Sequence, residues 1–125
     1  MNATTLAKTA YANPDQPTRT LRGIEYELFA RVTHRLKSAA LGGKENFAGL
    51  ARAVYENRRL WTVIAADVSS SENALPAPLR ARLFYLSEFT QAHSRRVLAG
   101  EVGVDVLVDI NTSIMRGLRQ KGDGE

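Results

Sequence analysis

The sequence predicts an all-α fold, a single-domain helical bundle of four main helices preceded by a short N-terminal helix or arm. Three observations predict it. Apolar residues recur at steps of three and four in four separate stretches. Glycine pairs and proline clusters stand between those stretches, where helices end and begin. No stretch alternates apolar and polar residues with β-branched enrichment, so no sheet is expected. A chain of 125 residues and 13.8 kDa has one core's worth of apolar surface, and a chain of that size buries about two-thirds of what it exposes when unfolded.

The elements follow in order. Residues 1–19 form an arm and a linker: a short helix fits Thr5 to Ala12, and Asn13-Pro14-Asp15-Gln16-Pro17 reads as a turn because each proline fixes φ and restricts the residue before it. The bundle domain spans residues 20–120. Its first helix starts near Thr20 with Leu21, Ile24, Leu28, Val32 and Leu36 on one stripe, and Gly42-Gly43 ends it. Asn46 is the expected N-cap of the second helix, whose stripe runs Phe47, Leu50, Ala51, Val54, Arg58, Trp61, Ile64 and Ala65 and stops near Asp67. The loop Ser69-Ser70-Ser71-Glu72-Asn73 is polar, and Pro76 and Pro78 open a third helix carrying Leu79, Leu83, Leu86, Thr90, His93 and Val97. Gly100 and Gly103 close it. A fourth helix carries Val104, Leu107, Val108, Asn111, Ile114, Met115 and Leu118, and residues 121–125 are too polar and glycine-rich to expect order. Short connections imply antiparallel neighbours.

Composition then narrows the function. There is no cysteine, hence no disulfide scaffold, thiolate nucleophile or cysteine-type zinc site, and the cytoplasm is the expected compartment. The opening residues carry neither a basic n-region nor an apolar h-region, so no secretory signal is expected, and no stretch approaches the ~20 apolar residues that span a bilayer. The net charge is +4, but the thirteen Arg are dispersed and mostly lie within a turn or two of an acid. That pattern describes a mildly basic solvated surface and disfavours a phosphate-binding stripe, leaving nucleic acid as the lesser alternative.

Catalysis finds little support. His34 and His93 fall on different helices, and His93 lies on an apolar stripe, where a hydrogen-bonded boundary role is the usual one. Asp105 and Asp109 share a helix face, but carboxylates in opening turns also complement the helix dipole. No phosphate loop, dinucleotide fingerprint or nucleophile elbow occurs. No enzyme activity, cofactor or metal is expected.

The informative stretch is Glu56-Asn57-Arg58-Arg59-Leu60-Trp61, a polar, doubly cationic step set in an apolar stripe directly before the only Trp. Arg and Trp are the residue types most enriched at binding hot spots. Two readings stand side by side. Either Trp61 fills the core and Arg58 pairs with an acid such as Asp109, or the two residues face a partner. Asp67 and Asn111 fall at core positions and need polar partners, so they are expected to knit helices together.

Four segments also carry a family resemblance: Glu25 to Thr33; Asn57-Arg58-Arg59-Leu60-Trp61 followed by Ala65-Ala66-Asp67-Val68; Leu75-Pro76-Ala77-Pro78-Leu79-Arg80; and Leu107 to Leu118. In order and spacing they resemble the flagellar biosynthesis regulator family FlaF, from about Tyr11 to Leu118, and Ala7, Ala10 and Tyr11 are similar to that family's opening. The resemblance implies a cytoplasmic, non-enzymatic protein needed for the flagellar filament, one that binds flagellin, supports its export and acts with the regulator FlbT. A groove accepting an amphipathic helix suits that task, because flagellin's terminal segments become helical on assembly and must be kept from polymerising beforehand. Tyr26, Phe29, Trp61, Phe84 and Phe89 are the expected apolar contributors, and Arg58, Arg59 and Arg80 the polar guides. The competing expectation for each aromatic residue is a broader core. Two alternatives remain, an RNA-binding regulator of the flagellin messenger and an adaptor that binds FlbT alone. An open groove can also be satisfied by self-association, so either a monomer or a weak dimer is expected. The arm is a candidate lid over the groove.

Overall fold

The computed structural model describes the backbone of residues 17–123 and the side chains of residues 26–118. Among the described residues the fold has four helices, α1 (Pro17–Leu41), α2 (Phe47–Ser69), α3 (Ala77–Leu98) and α4 (Asp105–Asp123), with a 3-10 turn over Gly43–Asn46. No strand occurs among the described residues. The expected helix over residues 5–12, the lid role of the arm and the last two residues lie outside the described residues, as do the side chains of Leu21 and Ile24.

Pro17 opens α1, three residues ahead of the expected start at Thr20. Its fixed φ is preorganised for a first helical position, so the second proline of the linker belongs to the helix rather than to the turn. At the other end, α4 runs on to Asp123, past the point where order was expected to stop. Helix ends commonly extend or fray by a residue or two, because each further turn needs only a bond to the carbonyl four residues back.

The connections show how the sequence terminates each helix. Asn46 occupies the N-cap position of α2, but its side chain makes no cap bond there. Instead Nδ2 donates to the Ala39 carbonyl at 3.3 Å and so satisfies the end of α1. This inward turn of the amide leaves no room at Gly42, where an added Cβ would sit 2.5 Å from the Asn46 Cβ. After α2, the Asn73 amide donates to the Asp67 carbonyl and to its Oδ2, at 3.1 and 3.2 Å, and its Oδ1 accepts the Leu75 N–H at 2.9 Å. Pro76 then caps α3, as its place in the sequence predicts. Gly100, at φ +78°, closes α3. Its N–H bonds the Val97 carbonyl and the Glu101 N–H bonds the Arg96 carbonyl, a Schellman closure. The Arg96–Glu101 ion pair, at 3.2 Å, spans the two positions where such a motif usually places an apolar contact.

Burial pushes the Asp67 carboxyl above its usual range, while the Asn73 hydrogen bond opposes that shift. A carboxyl whose folded-state pKa is raised weakens the fold once ionised, so its penalty fades as pH falls through that raised value and is gone below about 3.9. Asp67→Asn is therefore expected to be the more stable form near neutrality, with the gain vanishing in acid. Urea midpoints of both proteins near pH 7 and at about pH 4 check this.

Packing runs round a ring. α2 packs most extensively on α3, α1 packs on both α2 and α4, and α3 meets α4 sparsely. Neighbours are antiparallel: Phe29 meets Trp61 while Arg35, further along α1, meets the earlier Glu56. Two apolar clusters fill the ring. One joins Leu36, Ala39, Ala53, Val54, Val97, Val104 and Leu107 at the end where α1 turns into α2. The other joins Phe29, Val32, Leu60, Trp61, Ile64 and Val68 toward the opposite end, with Ile110, Ile114 and Met115 packed against it.

Between the clusters lies a polar layer. Trp61 Nε1 donates to Asn111 Oδ1 at 2.9 Å, and Asn111 Nδ2 donates to Asn57 Oδ1 at 2.8 Å. Both asparagines are completely buried, and this chain ties α2 to α4 across the diagonal of the ring. Asn111 thus knits helices, as its place on the apolar stripe implies. α3 continues the layer: its buried face is Ser87, Thr90, His93, Ser94 and Val97, so four of the five are polar. Ser87 Oγ donates to the Trp61 carbonyl at 3.0 Å. Asn57 Nδ2, Thr90 Oγ1, His93 Nε2 and Ser94 Oγ are buried without a hydrogen-bond partner among the described residues.

Candidate functional site, an arginine-lined groove

The eight residues singled out in the sequence do not form one surface. Phe29 and Trp61 are core residues, 1% and 0% exposed, and their rings meet edge to face at 5.8 Å. An aromatic ring just beside the apolar stripe of α1 faces inward because α2 and α4 together enclose more than one seam of that helix. Tyr26 is half-buried on α1. Phe84 and Phe89 lie five residues apart on α3, about 140° round the helix, and cannot share a face. Phe84 is 43% exposed, whereas Phe89 is half-buried and stacks on His93 at 5.2 Å between centroids.

The cations are divided as well. Arg58, placed on the stripe of α2 by periodicity, sits at the α2–α3 boundary, and Asn57 takes the core position instead. A shift of one residue turns the side chain by about 100°, which is enough to exchange the two. Arg58 Nε donates to Gln91 Oε1 at 2.8 Å, and Gln91 Nε2 returns a bond to the Arg58 carbonyl at 3.1 Å. Its partner is therefore an amide on α3 and not Asp109, which is exposed. Arg80 folds back, donating from Nε to the Leu75 carbonyl at 3.1 Å, and so braces the loop before α3. Arg59, by contrast, lines an open concavity.

That concavity runs along the outer side of α1 and α2. Near Leu28, Val32 and Leu60 it has a volume of about 480 Å³. It continues past Arg35 and Arg52 into a second stretch of about 460 Å³ that reaches Ala39, Asn46 and Gly49. From Leu28 to Ala39 the α1 wall is twelve residues long, about 16 Å at the helical rise. Val32, Ala39, Ala53 and Leu60 make a closely packed apolar floor, each under a tenth exposed. Tyr55, 57% exposed, stands at the edge.

Four guanidinium groups rim this floor: Arg31 and Arg35 from α1, Arg52 and Arg59 from α2. The one acid among the residues lining either stretch is Glu56, which accepts a 2.8 Å bond from Arg35 Nη1. Arg59 lies over the Tyr55 ring, 5.8 Å from its centroid. Among the described residues neither Arg31 nor Arg52 has a salt-bridge or hydrogen-bond partner. The groove thus carries three more positive charges than negative ones, over an apolar base.

Arg31, Arg35, Arg52 and Tyr55 escaped the sequence reading, although a signal was present. Leu28, Arg31 and Arg35 follow steps of three and four, and Arg52, Tyr55 and Arg59 do the same on the face of α2 away from its apolar stripe. What sequence alone lacks is the register that brings the two rows together.

Fold and groove together define a small helical-bundle protein with a cationic cleft between its first two helices. The chain belongs to the FlaF family: the family model described as "Flagellar protein FlaF" matches residues 7–118, from ahead of α1 nearly to the end of α4. No curated protein and no solved structure matches the chain. Among the described residues, no helix is long and apolar enough to cross a membrane, and no group of three or more His, Asp or Glu could hold a metal ion.

Proposed function

We propose that this flagellar protein is a non-enzymatic, cytoplasmic flagellin-binding protein that takes up an amphipathic terminal segment of flagellin before export and, with FlbT, adjusts flagellin synthesis to it. The observation that carries this reading is the α1–α2 groove. It is open to solvent and about three helical turns long, and above its closed floor Leu28, Tyr55 and the arginine stems offer apolar surface to the stripe of a guest helix. Its charged rim would set the direction in which that helix lies.

Purified protein titrated by calorimetry with purified flagellin, with FlbT and with the flagellin transcript tests the reading. Saturable one-to-one binding of flagellin is expected, with a negative heat-capacity change because apolar surface is buried. Binding of the transcript in place of flagellin, with an affinity that collapses as salt is raised, would turn the reading into direct regulation of the messenger. Binding of FlbT alone would leave an adaptor.

A further inference from the structure

The rim of the groove states what kind of helix it accepts, an inference that rests on the partner-binding reading above. Arg31 and Arg52 form no ion pair among the described residues, the nearby Glu56 being taken by Arg35, and the Arg59 guanidinium is held over Tyr55 rather than by an acid. Arg35 is already neutralised by Glu56. Three cations are therefore available along two walls, one on α1 and two on α2. Arg52 and Arg59, seven residues apart, are separated by about 10 Å along α2, the rise between residues i and i+7 of a guest helix lying parallel to it. Guanidinium groups take carboxylates in forked pairs, and such pairs gain strength where an apolar floor excludes water.

We propose that the α1–α2 groove is the docking site for an acidic amphipathic helix of about three turns, whose carboxylates pair with Arg31, Arg52 and Arg59 while its apolar stripe lies on Leu28, Tyr55 and the arginine stems above the closed floor of Val32 and Leu60. RNA is the weaker occupant. A base stacks on an exposed aromatic face, and the one aromatic ring at this groove has a face taken by Arg59. A second copy of this chain is weaker too. On α4 the exposed pair Asp105 and Asp109 spans only about 6 Å, short of the ~10 Å between Arg52 and Arg59.

The test uses the full chain and two surface variants. Arg31→Glu combined with Arg52→Glu changes exposed side chains only, so circular dichroism and thermal unfolding should match the parent. Flagellin affinity in that variant is expected to fall by about tenfold or more, and Glu56→Gln, which frees Arg35, should raise it by about threefold. If the parent binds flagellin and the double variant binds it equally well, the groove is not the site, although the flagellin reading stands. If the parent does not bind flagellin, that reading fails. The groove is then judged with two synthetic amphipathic helical peptides of one apolar stripe, flanked by Glu in one and by Lys in the other. Selective binding of the Glu peptide, lost in the double variant, supports the proposal. Equal binding of both peptides overturns it, as does displacement of the Glu peptide by an RNA oligonucleotide. So does concentration-dependent self-association that the double variant abolishes.

Discussion

Replacing Asn111 with leucine is expected to destabilise the bundle by about 2–5 kcal/mol, although the two side chains are nearly the same size. Asn111 stands between two groups that have no other partner in the described structure: it accepts from Trp61 Nε1 and donates to Asn57 Oδ1. Leucine would leave both groups buried and unbonded, and each such loss costs about 1–3 kcal/mol. Asn57 would be hit hardest, since its Nδ2 already lacks a partner and the whole amide would then have none. The cost should come from unpaired polar atoms and not from altered packing. The double variant Asn57→Leu with Asn111→Leu is therefore expected to be more stable than the sum of the single effects, by about 1 kcal/mol or more. Urea unfolding of the three variants and the parent measures this coupling, and strict additivity would mean that the two amides do not act as a pair.

Trp61→Ala is expected to cost about 3–5 kcal/mol, a large share of the ~5–15 kcal/mol that stabilises a typical domain. Trp61 is completely buried, its ring meets Phe29 edge to face, and its loss also strands Asn111 Oδ1. Phenylalanine at the same place should be far milder. It keeps most of the ring contact and gives up chiefly the indole hydrogen bond, a loss of about 1–3 kcal/mol. The two variants separate the apolar and polar shares of one side chain. Thermal unfolding followed by circular dichroism is the suitable measurement, because Trp61 is the only Trp and fluorescence disappears with it.

Both residues also show how far the sequence could be read. The helices were legible because their punctuation is chemical: Pro76 and Pro78 at the start of α3, Gly100 at its end, and the Leu107, Asn111 spacing that α4 turns inward behind the buried Val104. The inner face of α2 was legible only to within one residue. Periodicity placed Arg58 on it, and the fold places Asn57 there, because a stripe drawn from steps of three and four does not resolve a rotation of about 100°. Phe29 lay beside the stripe of α1 and proved central, since a helix touched by two neighbours buries an arc wider than one seam. The groove was the least legible part. Arg59 stands out in sequence beside Trp61, but Arg31, Arg35 and Arg52 look there like cations on a solvated face, and the four become one rim only when Phe29 meets Trp61 and Arg35 meets Glu56. Register between helices is a tertiary fact, fixed by side chains far from the ones it brings together.

The buried face of α3 bears on motion. α1, α2 and α4 turn leucine, isoleucine, phenylalanine or tryptophan into the two apolar clusters, whereas the fully enclosed positions of α3 are mainly Ser87, Thr90 and Ser94. Hydroxyl side chains surrender little hydrophobic free energy when they return to water, and two of these hydroxyls regain hydrogen bonds that they lack in the fold. Local opening of α3 at Thr90 and Ser94 therefore gives up little apolar burial, although the α2–α3 contact is the most extensive in the ring and Leu83, Leu86 and Val97 hold the helix elsewhere. α1 and α2, which carry the groove between them, are joined instead through Phe29 and Trp61.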